Sequence, residues 1–330
     1  MTGSKRMRTI VIGSNSFSGQ DFIRHILDND HEVVGISRSS QKEQYELSYN
    51  KKDSNFKFSQ LDLNGDTERI IGEIKDFSPH YVVNFAAQSI VEHSWSCPED
   101  WYNTNVTSLA KLLPTLSDTD SLVRYLQIST PEVYGSCEDR IVESRNYNPS
   151  TPYASSKAAA DALLNVYHKQ GLPVCWVRSA NVYGARQQLF KIIPKVVVSI
   201  LQGKKLPLHG GGFSTRSFIH ISDVSKAELL VLKEGDVGGI YHISHEEEVS
   251  IRDLVALICQ KMGKSFADCV DEVGERKGKD RAYTLDSKKL NGLGWFSEVK
   301  LEEGIEEVIA WVKEHRVHEK GLPLDYIHKR

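Results

Sequence analysis

Apolar and polar positions along the first half of the chain switch repeatedly between two periods. Short runs that alternate or stay continuously apolar, the mark of strands, are followed by stretches with apolar residues three and four apart, the mark of helices. Strands are predicted at Thr9–Ile12, Glu32–Ser37, Phe56–Leu63, Tyr81–Phe85, Leu122–Ile128 and Pro173–Val177. Helices are predicted through Phe22, Ile23, Ile26 and Leu27, over Thr67–Ile74, over Trp101–Leu116, and from Ala154 onward. Residues 41–55 are polar and charged and read as a surface excursion. This alternation predicts an α/β fold, a doubly wound parallel sheet of the Rossmann type. Ligands of such sheets lie beyond the carboxyl ends of the strands.

From Arg178 the periodicity weakens into short elements joined by glycine-bearing and basic connections. A strand at Tyr241–Ile243, a helix over Glu248–Met262 and an amphipathic helix over Leu301–Glu314 stand out. There is no internal repeat and no low-complexity linker. A smaller α/β substrate domain, interleaved with the first, is therefore expected. Residues 1–178 plus about 214–243 would bind the dinucleotide, and about 179–213 plus 244–330 the substrate.

Composition narrows the class without naming a chemistry. Of 330 residues, 40% are hydrophobic and 26% charged, so a globular core can be buried. A net charge of -3 and the lack of a basic run give no electrostatic case for nucleic acid. Five scattered cysteines (Cys97, Cys137, Cys175, Cys259, Cys269) form no CxxC pair, so neither a disulfide frame nor a metal site is expected. The first apolar run is too short for a signal peptide or a membrane span, which makes a cytoplasmic protein with no membrane partner the expectation.

The candidate chemistry sits at predicted strand ends. Gly13, Ser16 and Gly19 in GSNSFSG, with Phe17 and Ser18 between them, form a turn between a strand and a helix. A helix N-terminus there offers free N–H groups and a positive dipole end to a pyrophosphate. Ser16 stands where the middle glycine of a GxxGxxG turn is expected. The next strand ends in Ser37-Arg38-Ser39-Ser40 and carries no acid for a ribose 2′-hydroxyl. Arg38 therefore points to NADP, with NAD the alternative. Asp62 and Leu63 are placed to flank an adenine. Ala86, Ala87 and Gln88 leave room for a ribose, and Asn105 on the helix over 101–116 joins the cofactor candidates.

The stretch Ser129–Lys157 carries Thr130, Glu132, Tyr153 and Lys157. Of thirteen tyrosines only Tyr153 has a lysine four residues on, and that spacing puts both side chains on one helix face. A nearby ammonium favours the phenolate, so Tyr153 is expected to have a lowered pKa and to serve as a base. Thr130 and Glu132, two apart on an extended segment, face the same side. Arg216 and Arg276 have the planar guanidinium that suits a phosphate. The glycine turn, Arg38, Ala86–Ser89, Thr130 with Glu132, and Asn181 all fall at strand ends.

These motifs resemble the extended short-chain dehydrogenase/reductases that modify nucleotide sugars. The resemblance rests on the glycine turn, AAQS at Ala86–Ser89, TPEVYG at Thr130–Gly135 and NPSTPYASSK at Asn148–Lys157. It continues through RSANVYG, KIIP at Lys191–Pro194 and TRSFIHISDV at Thr215–Val224. The stretch Asp280–Trp295 is similar to the dTDP-glucose 4,6-dehydratases, and AAQS with GISRSS to the GDP-mannose 4,6-dehydratases. The resemblance implies a nucleotide-diphosphate sugar substrate. Tyr153 would act at the sugar C4 hydroxyl, helped by Thr130 and Lys157, and Glu132 at C5, giving a 4-keto-6-deoxy sugar. It suggests Ser89, Asn181, Lys191, Arg216 and Arg276 for the substrate, and a homodimer through the helices at 105–113 and 154–167.

Three positions depart from the pattern. Pro131 replaces the acid of the dTDP-glucose enzymes, Ser217 replaces a usual Asp, and His242 with Glu246-Glu247 replaces an Asn-bearing loop. A 4-epimerase, a uronic-acid decarboxylase or a 4-keto reductase would share the C4 oxidation. A cofactor-binding protein without turnover is the remaining alternative.

Overall fold

A computed structural model of the protein describes residues 6–136, 140–274 and 284–328. The first half runs β1 (Arg8–Ile12), α1 (Phe17–Leu27), β2 (Glu32–Ser37), β3 (Phe56–Gln60), α2 (Thr67–Phe77) and β4 (Tyr81–Asn84). It continues with α3 (Val91–Ser94), α4 (Pro98–Tyr102), α5 (Ser108–Ser117), β5 (Arg124–Ile128), α6 (Pro152–His168) and β6 (Val174–Ser179). The second half holds β7 (Asn181–Tyr183), α7 (Ile192–Leu201), β8 (Leu206–His209), β9 (Thr215–Arg216), β10 (Phe218–His220), α8 (Ile221–Glu234) and β11 (Ile240–Ile243). After these come β12 (Val249–Ser250), α9 (Ile251–Lys261), α10 (Phe266–Cys269), β13 (Val270–Val273), α11 (Lys288–Asn291) and α12 (Leu301–Glu314).

Seven strands pair in the order β11-β6-β5-β4-β1-β2-β3, all parallel. The order reverses between β1 and β4, which opens a crevice beyond their carboxyl ends. Central strands buried on both faces need apolar side chains on both, and β1 (RTIVI) and β4 (YVVN) meet that need. Helices α1 and α8 cover one face, with Phe22, Ile26, Ala227 and Val231 in one cluster. Helices α2, α5 and α6 cover the other, through Ile70, Leu109, Leu113 and Leu164. A separate apolar cluster joins α7, α9 and α12 with β8 and β13.

Two expectations change. Residues 41–55 are not wholly a surface excursion: Leu47 and Tyr49 are buried, and the Tyr49 ring packs on Phe56 at 4.6 Å. Two apolar side chains among polar neighbours have no period, so the pattern could not announce them. The helix predicted over Trp101–Leu116 is interrupted by a π-helical turn at Asn103–Thr107. The wider turn carries Asn105 inward, where its amide bonds Gln88 N (3.0 Å), Gln88 O (3.1 Å) and Ser156 Oγ (2.9 Å). From the second lobe, Leu290 and Trp295 pack into the core of the large sheet.

Behind β5 and β6 lies a largely buried polar network. Asp161 on α6 accepts from Arg178 at 2.9 Å and from Ser129 Oγ at 2.6 Å, and both ion-pair partners are inaccessible. The Arg178 guanidinium also bonds the Tyr134 hydroxyl and sits over its ring, 4.6 Å from the centroid. Tyr134 in turn meets His242 Nε2 at 2.8 Å. Burial, and after it the Arg178 charge, lowers the His242 pKa to about 3. Between pH 3 and the ordinary value of 6.5 the unfolded chain takes up a proton that the native protein refuses. His242 stabilisation is therefore present above that window and is lost as pH falls through it, at up to about 1.4 kcal/mol per pH unit. Urea midpoints measured across this range should fall with acidification, and less steeply in His242→Gln.

Candidate active site

Backbone requirements build the site's first wall. Gly13 N and Ser14 N both donate to Ile36 O, at 2.8 and 3.0 Å, folding the turn against β2. Gly13 has φ +86, and a Cβ there would meet Ala86 N at 2.6 Å. A Cβ on Gly19 would meet Gly13 O at 2.5 Å. Ser16 has φ −68, a conformation open to any residue, and its Oγ accepts from Gly19 N at 2.9 Å as the N-cap of α1. The turn thus needs glycine at Gly13 and Gly19, while Ser16 contributes a cap. Free N–H groups at the start of α1 and a cradle that side chains would fill fit the diphosphate of a dinucleotide.

The second wall comes from β5 and α6. Thr130 caps a short 3-10 turn at Pro131–Tyr134, its Oγ1 accepting from Glu132 N at 3.3 Å. Pro131 occupies the first position of that turn, where its fixed φ fits and no N–H is needed. That accounts for proline locally. Helix α6 starts at Pro152 behind the cap Thr151, whose side chain accepts from Ala154 N at 3.1 Å. One turn apart on its inner face sit Tyr153 and Lys157, both buried.

Their electrostatics correct an expectation. The Tyr153 phenol is pushed up, first by burial and then by the negative charge of Glu132; a hydrogen bond with Thr130 works the other way, and Asp161 adds to the rise. Lys157 does not offset this, because its Nζ donates to Ile128 O at 2.7 Å and burial brings its own pKa down to about 8. The protein by itself therefore holds Tyr153 as a neutral phenol. Spacing identified the pair but could not weigh desolvation against charge.

A cleft of about 440 Å³ runs between the walls. It gathers Ser16, Phe17 and Ser18 from the turn, Ala87 and Ser89 from the β4 end, and Thr130, Glu132, Tyr153 and Lys157. Asn181, Lys191 and Arg216 close it from the second lobe. Lys191 is exposed by surface area, yet protein atoms across the cleft crowd its ammonium and lower its pKa, with Glu132 opposing. A larger groove of about 620 Å³ lies over β2, β3 and α2 and contains none of these groups.

Other predicted residues lie outside the cleft lining. Gly13, Gly19, Ala86 and Gln88 shape the wall, and Asn105 clamps Gln88 from behind. Asp62 Oδ1 accepts from Asn64 N at 2.9 Å within its own turn, and Leu63 beside it is buried. Arg38 is exposed past β2, while Asn15 Nδ2 in the glycine turn bonds Ser39 Oγ (2.9 Å) and Ser40 O (2.8 Å). Arg276 lies outside the described residues. The pattern missed Asp161 and Arg178, although a charge extending the apolar run Pro173–Val177 is a signal. It also missed Glu228, which lines the cleft from α8 and is held well above the usual carboxylate range by burial and by Asp21.

A doubly wound sheet with a glycine turn at β1, and a buried Thr-Tyr-Lys set beyond β5, defines an extended short-chain dehydrogenase/reductase with a nicotinamide-dinucleotide site. The sequence profile of the GDP-mannose 4,6 dehydratase family matches residues 10–308. A low-salt glycan biosynthesis protein of Haloferax volcanii is 34% identical over 92% of this chain and 98% of its own. The dTDP-glucose 4,6-dehydratase of Haemophilus influenzae is 31% identical over 92% of this chain and 97% of its own. Among solved structures, the dTDP-glucose 4,6-dehydratase DesIV of Streptomyces venezuelae, with NAD and TYD bound, matches with a TM-score of 0.86. It is 32% identical and covers 94% of this chain and 98% of its own. The chain belongs to this family, in its nucleotide-sugar 4,6-dehydratase branch. Among the described residues no helix is long and apolar enough to cross a membrane.

Proposed function

We propose that the protein removes water from a nucleotide-diphosphate sugar, converting it to the 4-keto-6-deoxy sugar. The observation that carries this reading is Glu132, a carboxylate in the same cleft as Tyr153 and close enough for its charge to act on the phenol. A bound nicotinamide would take hydride from sugar C4 and give it back at C6, its positive ring favouring the Tyr153 phenolate. Tyr153 takes the proton of the C4 hydroxyl, with Thr130 Oγ1 orienting the phenol. Lys157 Nζ, tied to Ile128 O, holds the ribose beside it. The 4-ketone acidifies C5–H, and Glu132 removes that proton. Pro131 has no side-chain donor, so Glu132 also delivers the proton to the oxygen leaving C6. The proton taken from the C4 hydroxyl balances the one returned to C5, and the net change is loss of one water. Lys191 and Arg216 pair with the diphosphate, with Asn181 and Ser89 bonding the substrate beside them. Incubation with a panel of nucleotide sugars should give a product lighter by one water with no dinucleotide consumed. Unchanged mass, or loss of carbon dioxide, would overturn the reading in favour of an epimerase or a decarboxylase.

Residues 1–178 with about 214–243 would mainly serve the dinucleotide, and about 179–213 with 244–330 mainly the sugar nucleotide. For the cofactor we favour NADP, because Ser37–Ser40 has no carboxylate to repel a 2′-phosphate and Asn15 ties that stretch to the glycine turn. Arg38→Ala should weaken NADP binding roughly tenfold, leaving NAD unchanged; tighter binding of NAD than of NADP by the parent protein would reverse the preference. A homodimer through α5 and α6 is supported by the outward Ala110 and by Val166, 57% exposed on the α6 surface. A monomer mass in sedimentation would remove it. The cytoplasm is the compartment this chemistry suits, where nucleotide sugars and dinucleotides are made.

A further inference from the structure

The segment at residues 322–328 joins α7 of the second lobe to α3 and α4 of the first. At one end Asp325 pairs with Lys195 of α7 at 2.9 Å, and the Tyr326 ring packs on Phe190, next to Lys191, at 5.4 Å. At the other end Tyr326 meets His93 of α3 at 5.0 Å, and His328 is held at both ring nitrogens. His328 Nδ1 faces the Tyr326 hydroxyl at 3.2 Å, and Nε2 faces Asp100 Oδ2 of α4 at 2.8 Å. Its ring stacks on the fully buried Trp101 at 5.2 Å. The His328 and Asp100 side chains are only 16% and 20% exposed, so this contact is not an ordinary solvated surface pair.

The position of these anchors follows from the sheet order. Helix α3 follows β4, Arg38 follows β2, and β1 with its glycine turn lies between those two strands. Tyr326 touches His93 on one flank and lies within reach of the Arg38 charge on the other. The contact with His93 after β4 sets Tyr326 at the carboxyl-end side of the sheet, the side along which a dinucleotide runs from β2 across β1 to β4. We propose that residues 322–328 are part of the dinucleotide site, forming a strap latched by His328–Asp100 and Tyr326 that holds the cofactor from one turnover to the next. The inference rests on the functional reading above, in which the hydride taken from C4 returns to C6. A cofactor restored within each turnover has no need to leave, and a latched strap favours its retention.

Release of NADH and of NADPH tests the strap, followed as loss of protein-enhanced fluorescence on mixing with excess oxidised dinucleotide. His328→Ala should speed release roughly tenfold or more, the size expected from losing a charge-assisted hydrogen bond. Tyr326→Ala, which leaves Asp100 and His328 in place, should also speed it and serves if the first variant does not fold. The urea midpoint of the ligand-free protein provides the structural control. A lowered midpoint with unchanged release rates in both variants would overturn the strap alone. A parent protein that binds neither dinucleotide would overturn the functional reading with it.

Discussion

Tyr153→Phe is expected to lower sugar-nucleotide turnover by about 10³-fold while dinucleotide binding stays unchanged. The hydroxyl is the one atom group removed, and the ring keeps its place on the inner face of α6, where Tyr153 is buried beside Lys157. Without it the oxygen proposed to take the C4 hydroxyl proton is gone. Lys157 cannot substitute, since its Nζ is committed to Ile128 O at 2.7 Å and stands a turn away along the helix. Steady-state turnover and equilibrium dinucleotide binding, measured on the same preparation, check both halves. Turnover within a few-fold of the parent would remove Tyr153 from the chemistry. The raised phenol pKa sharpens the expectation: burial and Glu132 oppose ionisation, so Tyr153 becomes a competent base only in the complete complex.

Glu132→Gln should stop the reaction one step later, with water loss down by about 10²-fold or more. Oxidation at C4 needs Tyr153 and Thr130 but not a base at C5. The amide of Gln keeps the size of Glu132 but cannot accept the C5 proton. A bound nicotinamide should then accumulate in its reduced form, visible by near-ultraviolet absorbance in a single turnover. The same signal should be missing from Tyr153→Phe, so the two variants separate the two proton transfers. If Glu132→Gln still released water at the parent rate, another group would have to serve C5, and Pro131 excludes the neighbouring position. With proline beside it, Glu132 is the one carboxylate of the Thr130–Glu132 stretch, so water loss is expected to depend heavily on it.

Much of this site was legible in the amino-acid sequence because its parts are local. The Tyr153/Lys157 pair needs only the pitch of one helix, and the glycine turn only the few residues between β1 and α1. Thr130 and Glu132, expected on an extended segment, lie instead at the start of a 3-10 turn, still within two residues of one another. What escaped was long-range. Asp161 and Arg178 pair across 17 residues, and Tyr134 with His242 across 108. No spacing rule joins such positions. The Tyr153 pKa was misjudged for the same reason: the nearby lysine was visible in the sequence, but the burial of the phenol and the turn of Lys157 towards Ile128 O were not. Asn105 is an intermediate case, found as a candidate but placed behind the wall by a π-helical turn that helix periodicity does not predict.

Period and turn chemistry by themselves determined the alternating strands and helices, the parallel sheet and the glycine turn, and they singled out Thr130, Glu132, Tyr153 and Lys157 as candidates. Each of these depends on interactions among residues within a few positions of one another, where backbone geometry leaves few choices. Only the tertiary structure decided that Lys191, Arg216 and Asn181 close the same cleft as Tyr153, that Ser16 is a cap, and that Tyr153 is held neutral. It alone brought residues 322–328 across to Asp100 and His93. Desolvation and contact depend on which distant segments meet, and that is settled by packing of the whole chain.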